Sequence, residues 1–380
     1  MLKIFTPNNT AAIIFTIACL GLSAGTTAQQ IPEESMLPCD EVEKAALEQA
    51  TPDEIRRITA FTPAEIVERK NPTYPRTAAM RSREGWVKVS YVIDEEGKVQ
   101  DPVVYDHAGD SAFKRAAMSA IKGWEFKPAM KDGKPTQQCH QAVRIDFTMG
   151  DVSGASRRFV STYKKATAFF EQGDIEQTEQ LLEKLKADDD RNRYENAWLW
   201  RLDSLVARKL EDLPREQRSI NRTISSAASH NVRNQTFDKD TLGYMYQRLF
   251  AVQVNRGLYA EALQTVDKIE NLSNGEKLMV PIQLTVEKVK DFIASDANLF
   301  VDGQINKGSN FFHTLARNQF TFFEIKGQLD TVEVRCETHR EKFTVAEDFV
   351  WSIPESWGQC QVLVQGDSGT RFSLVELNQA

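Results

Sequence analysis

Five histidines, His107, His140, His230, His313 and His339, are the side chains best suited to acid–base or metal chemistry near neutral pH. No two of them stand at a metal-ligand spacing. Cys336 and His339, in the run CETH, could begin a metal site, but no second ligand pair accompanies them. Nucleophile-elbow, Walker and Rossmann patterns are absent, and no local signature selects a Ser/His/Asp set. Asp94 and Asp132 lie in turn sequences, where a side-chain acceptor is useful structurally. The sequence therefore predicts a non-catalytic protein with no cofactor and no metal. The net charge of −7, without a Lys/Arg cluster, argues against nucleic acid as a partner.

The remaining reactive side chains are five cysteines, whose meaning depends on compartment. The N-terminus reads MLK, then the apolar run AAIIFTIACLGLSAG, then TTAQQ with small residues at Thr26 and Ala28. This pattern predicts a secretory signal over residues 1–28, cleaved after Ala28, and a periplasmic protein. Two competing readings are a lipoprotein signal ending at Cys19 and an uncleaved inner-membrane anchor. Export leaves Cys39, Cys139, Cys336 and Cys360. Of three possible pairings, the simplest joins neighbours along the chain, giving disulfides Cys39–Cys139 and Cys336–Cys360.

Three stretches differ in period. Residues 64–150 alternate strand and helix signals, 155–296 are helical throughout, and 299–380 hold short β-rich runs such as TVEVRCET and QCQVLVQG. Residues 29–63 form a polar arm, with Thr51 and Pro52 placed to start a helix. In the helical stretch, ATAFFEQGDIEQTEQLLEKL and LFAVQVNRGLYAEALQTVDKI align at Gly173 and Gly257, which suits tetratricopeptide-like helical hairpins. AWLWRLDSLVARKL lies between them as part of another degenerate pair, and an irregular bundle is the competing reading. The last stretch predicts a small all-β sandwich or barrel with Trp351 and Trp357 in its core, an exposed sugar- or cell-wall-binding surface being the competing reading. The fold class is thus multidomain α+β.

Within 64–150 the order is helix, strand, strand, helix, strand. WVKVSYVID alternates apolar and polar residues, DEEGK turns the chain at Gly97, and Pro102 marks an edge or bulge in the returning strand. SAFKRAAMSAIKGW is an amphipathic helix. In the last strand Ala142, Arg144 and Asp146 oppose Val143, Ile145 and Phe147.

Tyr74-Pro75, EGWVKVSYVIDEEGKV, FKRAAMSAIKGWEFKPA and DGKP together resemble the C-terminal domain of the TonB family over about 80 residues. The resemblance implies a three-stranded antiparallel sheet backed by two helices, with Trp124 and Phe126 seated against the sheet. It implies binding by strand addition rather than covalent chemistry. The partner is the short peptide of an outer-membrane TonB-dependent transporter, or another envelope protein. The partner-binding residues are Gln141, Ala142, Val143, Arg144, Ile145, Asp146 and Phe147, with Tyr74 and Pro75 beside the docked peptide. An energy-transducing TonB carries an N-terminal anchor and a Pro-rich spacer before this domain, and engages inner-membrane motor proteins. Here the domain precedes some 230 further residues and the prolines are scattered. An adaptor is therefore expected, with an anchored energy transducer as the alternative. The bridge from Cys39 to Cys139 would pin the arm beside the edge strand.

Overall fold

A computed structural model of the chain describes residues 61–150, 154–228, 236–306, 310–347 and 349–378. The signal, most of the arm and Cys39 fall outside them.

The first domain opens with two short strands, β1 (Phe61–Thr62) and β2 (Glu65–Glu68), and helix α1 (Arg76–Met80). A hairpin of β3 (Gly85–Ile93) and β4 (Val99–Ala108) follows, turning at Gly97 with φ 77°. Helix α2 (Ala112–Ile121) leads into β5 (Glu125–Lys127), β6 (Ala129–Lys131), β7 (Lys134–Thr136) and β8 (Gln138–Phe147). The main sheet is antiparallel with order β4-β3-β8. Its inner face is the expected one. Val87, Val89, Tyr91 and Ile93 from β3 meet Phe113, Ala117 and Ile121 from α2 and Ile145 and Phe147 from β8.

The WEFKPAMKDGKP run braces this sheet. Trp124 is buried, edge-on to Tyr91 at 6.0 Å, and donates its indole N–H to the Lys70 carbonyl at 2.9 Å. Phe126 donates its amide to Gly97 at 2.8 Å, so the run is tied to the hairpin turn. Asp132 and Gly133, both at positive φ, then reverse β6 into β7. Phe61 and Thr62, expected in the arm, pair with Lys131 and Met130, so the first domain begins before residue 64.

The helical region contains three hairpins. They are α3 (Arg157–Glu171) with α4 (Ile175–Ala187), α5 (Arg193–Lys209) with α6 (Leu213–Ala227), and α7 (Lys239–Asn255) with α8 (Tyr259–Glu270). Gly173 and Gly257 sit at the turns with φ 81° and 72°. The middle turn uses Glu211 at φ 59°, a residue the glycine alignment does not reveal. Asp174 and Asp212 then cap the second helices by accepting the amides of Gln177 and Arg215, each at 3.0 Å. Short α9 (Gly275–Met279) and α10 (Gln283–Ala294) end the region. Arg317 caps α10, donating to the carbonyls of Ile293, Phe292, Ser295 and Ala297.

The last domain is the expected sandwich. Its strands are β9 (Leu299–Gln304), β10 (Asn310–Thr314), β11 (Gln319–Lys326), β12 (Leu329–Cys336), β13 (Arg340–Thr344), β14 (Trp351–Ser352), β15 (Cys360–Gly366) and β16 (Arg371–Leu377). They form two four-stranded sheets, β10-β15-β12-β13 and β14-β11-β16-β9, sharing one apolar core. Trp351 is in that core, stacked on Phe320 at 5.3 Å, and half-buried Trp357 stacks on His339 at 4.8 Å. Cys336 and Cys360 are directly opposed on β12 and β15 and are bridged.

Gly257 does more than end a helix, because a Cβ there would lie 2.2 Å from the Phe300 carbonyl oxygen of β9. Around Gly173 the same atom meets open space. Gly173→Ala should lose about 1–2 kcal/mol, the cost of a side chain in left-handed backbone. Gly257→Ala should lose that plus the cost of displacing β9. Urea denaturation of the two variants checks the order.

Candidate functional site

Strand β8 pairs with β3 on one side only, so its outer edge is the domain's candidate docking surface. The register runs from Gly85 opposite Phe147 to Tyr91 opposite Gln141, and a bulge follows before Gln138. The N-terminal end of this edge is already taken: Cys139 donates its amide to the Glu337 carbonyl of the sandwich at 3.3 Å. Among the described residues, no other backbone bond reaches β8 from outside its sheet. The open stretch is therefore residues 141–147.

Its side chains alternate as expected. Ile145 and Phe147 are buried in the inner core and Val143 packs against it, whereas Ala142 is exposed. Arg144 donates to Asp146 at 3.0 Å and to the Ser225 carbonyl of α6 at 3.2 Å. Gln141 points its amide at the neighbouring His140 carbonyl, 3.2 Å away.

Tyr74 stands at the Phe147 end of the edge, 5.8 Å from that ring and 5.6 Å from Phe113. Its hydroxyl donates to the Arg83 carbonyl, and burial followed by the charges of Glu84 and Asp110 pushes its pKa up to about 12. The hydroxyl is thus committed within the domain, and the ring supports the strand from beneath. Pro75 precedes α1 and accepts the Ala79 amide at 2.9 Å.

Cys139 departs from the expected pairing. It is a free, fully buried thiol, with burial pushing its pKa up to about 12, and it donates weakly to Gln137 at 3.6 Å. It lies at the junction with the sandwich, and Cys39, its expected partner, lies outside the described residues.

The outer face of the sheet carries residues whose role sequence periodicity does not reveal. Trp86 is 0% exposed and donates its indole N–H to Ser226 Oγ of α6 at 3.0 Å. Arg222 of α6 holds Asp106 of β4 with two bonds, 2.9 and 3.0 Å. Arg335 of β12 is 1% exposed, paired with Glu333 at 2.8 Å, and reaches Ser90 Oγ and the Asp101 carbonyl. Arg340 binds the Asp101 carboxylate at 2.5 Å. The helical hairpins and the sandwich together cover the face opposite α1 and α2.

A further buried joint fastens the hairpins to the sandwich. His313 lies between Glu376 of β16, at 2.8 Å, and Glu261 of α8, at 3.3 Å. Burial pulls the imidazole pKa down, but Glu261 and Glu376 overcome it and leave it raised to about 10. Among the described residues, no group of three His, Cys, Asp or Glu side chains is placed to hold a metal.

Residues 70–149 match the family described as Gram-negative bacterial TonB protein C-terminal. This segment is a TonB-type C-terminal domain. The TonB protein of Pseudomonas aeruginosa is 36% identical over 76 residues, which are 20% of this chain and 22% of that protein. The TonB protein of Vibrio cholerae is 34% identical over 84 residues, 22% of this chain and 34% of that protein. The solution structure of the Pseudomonas aeruginosa TonB C-terminal domain aligns at 22% identity and a TM-score of 0.20, covering 25% of this chain and 92% of that one. The chain thus spans about a fifth to a third of the length of the two full TonB proteins. The TonB-type domain described here also includes β1 and β2, which precede the matched segment.

The His313 joint gives a pH test. Its pKa is raised on folding from about 6.5, so its contribution is full below that pH and is lost as pH rises toward about 10. The thermal midpoint should fall from pH 7 to pH 10. His313→Gln should unfold at a lower temperature at pH 7 and show a flatter profile over the same range.

Proposed function

We propose that the protein is a non-catalytic periplasmic adaptor linked to TonB-dependent transport, exported by its N-terminal signal. It holds a partner by adding the partner's strand to the edge of β8 at residues 141–147. The partner is an outer-membrane TonB-dependent transporter or another envelope protein. The observation that carries this reading is the outer edge of β8, unpaired over residues 141–147 in a TonB-type domain.

The geometry limits what the added strand can be. Every second residue turns both its N–H and its C=O outward, so seven residues offer about seven outward backbone bonds, each contributing roughly 0.5–1.5 kcal/mol net. That total, about 4–10 kcal/mol, is no larger than the roughly 4–15 kcal/mol that association costs. Side chains must supply the rest. One face of the added strand lies beside Val143, Ile145 and Phe147, and the other beside Ala142, Arg144 and Asp146. The partner strand should therefore alternate, apolar toward the α1/α2 side and polar or small on the other.

Synthetic seven-residue peptides with this alternation, titrated by fluorescence anisotropy, test the reading. The alternating peptide should bind. Its one-residue frame shift should bind at least tenfold more weakly, and N-methylation of alternate amides should abolish binding. Equal binding of the N-methylated peptide would mean that no strand is added.

A further inference from the structure

A strand added to β8 sets one of its residues directly across from Arg144, at the end of a charged row that crosses the outer face of the sheet. Asp106 of β4 faces Lys88 of β3, and Lys88 in turn faces Arg144 of β8. Side chains opposed in this way stand about 5 Å apart at Cβ, where like charges repel. Asp106 closes the row on one side. On the other side the row ends at the unpaired edge.

Both carboxylates of this face are committed. Asp106 is held by Arg222 of α6 at 2.9 and 3.0 Å, and Asp146 by Arg144 at 3.0 and 3.3 Å. Lys88 is left over. Its ammonium stands 5.2 Å from the centre of the Trp86 ring and makes no ion pair or hydrogen bond among the described residues. Burial pulls its pKa down and Asp106 opposes the fall, while the charges of Lys268, Arg144 and Arg222 add to it.

Arg144 has bonding capacity to spare. A guanidinium carries five N–H groups. The bonds to Asp146, from Nε and Nη2, and to the Ser225 carbonyl, from Nη1 at 3.2 Å, use one on each nitrogen. The side chain is 25% exposed, and it projects from the strand whose outer edge is unpaired.

We infer that β8 selects a strand with an acidic side chain at the position across from Arg144. A carboxylate there accepts the guanidinium N–H groups that remain and offsets the charge of Lys88. The row then has its cations, Lys88 and Arg144, inside and a carboxylate at each end. A neutral polar residue would leave the row positive, and a lysine would add to the repulsion. The inference rests on strand addition at residues 141–147 and fixes the chemistry of one partner residue.

Arg144 is the midpoint of the open stretch, so the fourth of seven partner residues faces it in either strand direction. Fluorescein-labelled Val-Thr-Val-Glu-Val-Thr-Val, and the same peptide with Gln or Lys at the centre, titrated into the full chain at low salt, test this. The Glu peptide should bind about tenfold more tightly than the Gln peptide, as a charge-assisted hydrogen bond would give. The Lys peptide should bind more weakly than either, and added salt should shrink the differences. Arg144→Gln should bring the Glu and Gln peptides to about equal affinity, and Lys88→Met should reduce their ratio several-fold. The ratio is taken on one variant at a time, so a general loss of affinity does not imitate the effect. Equal binding of all three peptides, or a Glu preference that survives both substitutions unchanged, would overturn the assignment and leave strand addition intact. Binding of none of them would overturn strand addition, and the assignment with it.

Discussion

Trp86 donates its indole N–H to Ser226 across the contact between β3 and α6, and neither residue is exposed to water. Much of the arrangement follows from that burial. An antiparallel sheet commonly keeps one face wet, but β3 is covered on both faces, with Lys88 its only half-buried position. Every polar group on the covered face must then find a partner inside the protein. Ser90 meets Arg335, Arg335 meets Glu333, and Asp106 meets Arg222. Breaking one buried ion pair leaves the other charge stranded and typically costs about 3–5 kcal/mol. These contacts therefore fix how the three domains sit around the sheet.

The same packing narrows where a partner can attach. The inner face of the TonB-type sheet is filled by its own helices, and the outer face by the hairpins and the sandwich. Glu337 occupies the start of the β8 edge, through the residue that follows the bridged Cys336. What remains of the β8 edge is a short length of backbone with an apolar flank and a polar flank. The helical hairpins and sandwich thus act on the TonB-type domain as supports that leave residues 141–147 of the β8 edge unpaired.

Much of this was legible in the sequence, for identifiable reasons. Alternation in WVKVSYVID and QAVRIDF sets which side chains of β3 and β8 face α2. Gly97, Gly173 and Gly257 mark turns because the backbone there is left-handed. Trp124 reads correctly as core. What escaped reading is non-local and polar. Nothing periodic links Trp86 to Ser226, Arg335 to Ser90, or His313 to Glu261 and Glu376, since each pair joins elements far apart in the chain. Glu211 takes a left-handed turn without the glycine that would announce it. The depth of the Cys139 thiol is likewise non-local, since sequence gives cysteine number and not burial. Tyr74 was placed near the docked peptide, and it does stand at the end of the edge, but its hydroxyl is spent on Arg83.

The central claim is that a partner strand joins β8 while the three domains stay packed. Hydrogen–deuterium exchange of the full chain, with and without the alternating seven-residue peptide, tests it most directly. The account predicts that the Cys139 amide is slow to exchange in both states, that peptide slows exchange only within residues 141–147, and that β3 and the Ser225–Ser226 segment are unchanged. Faster exchange of β3 or of Ser225–Ser226 on binding would contradict it, because the domains would then have to part to admit the partner.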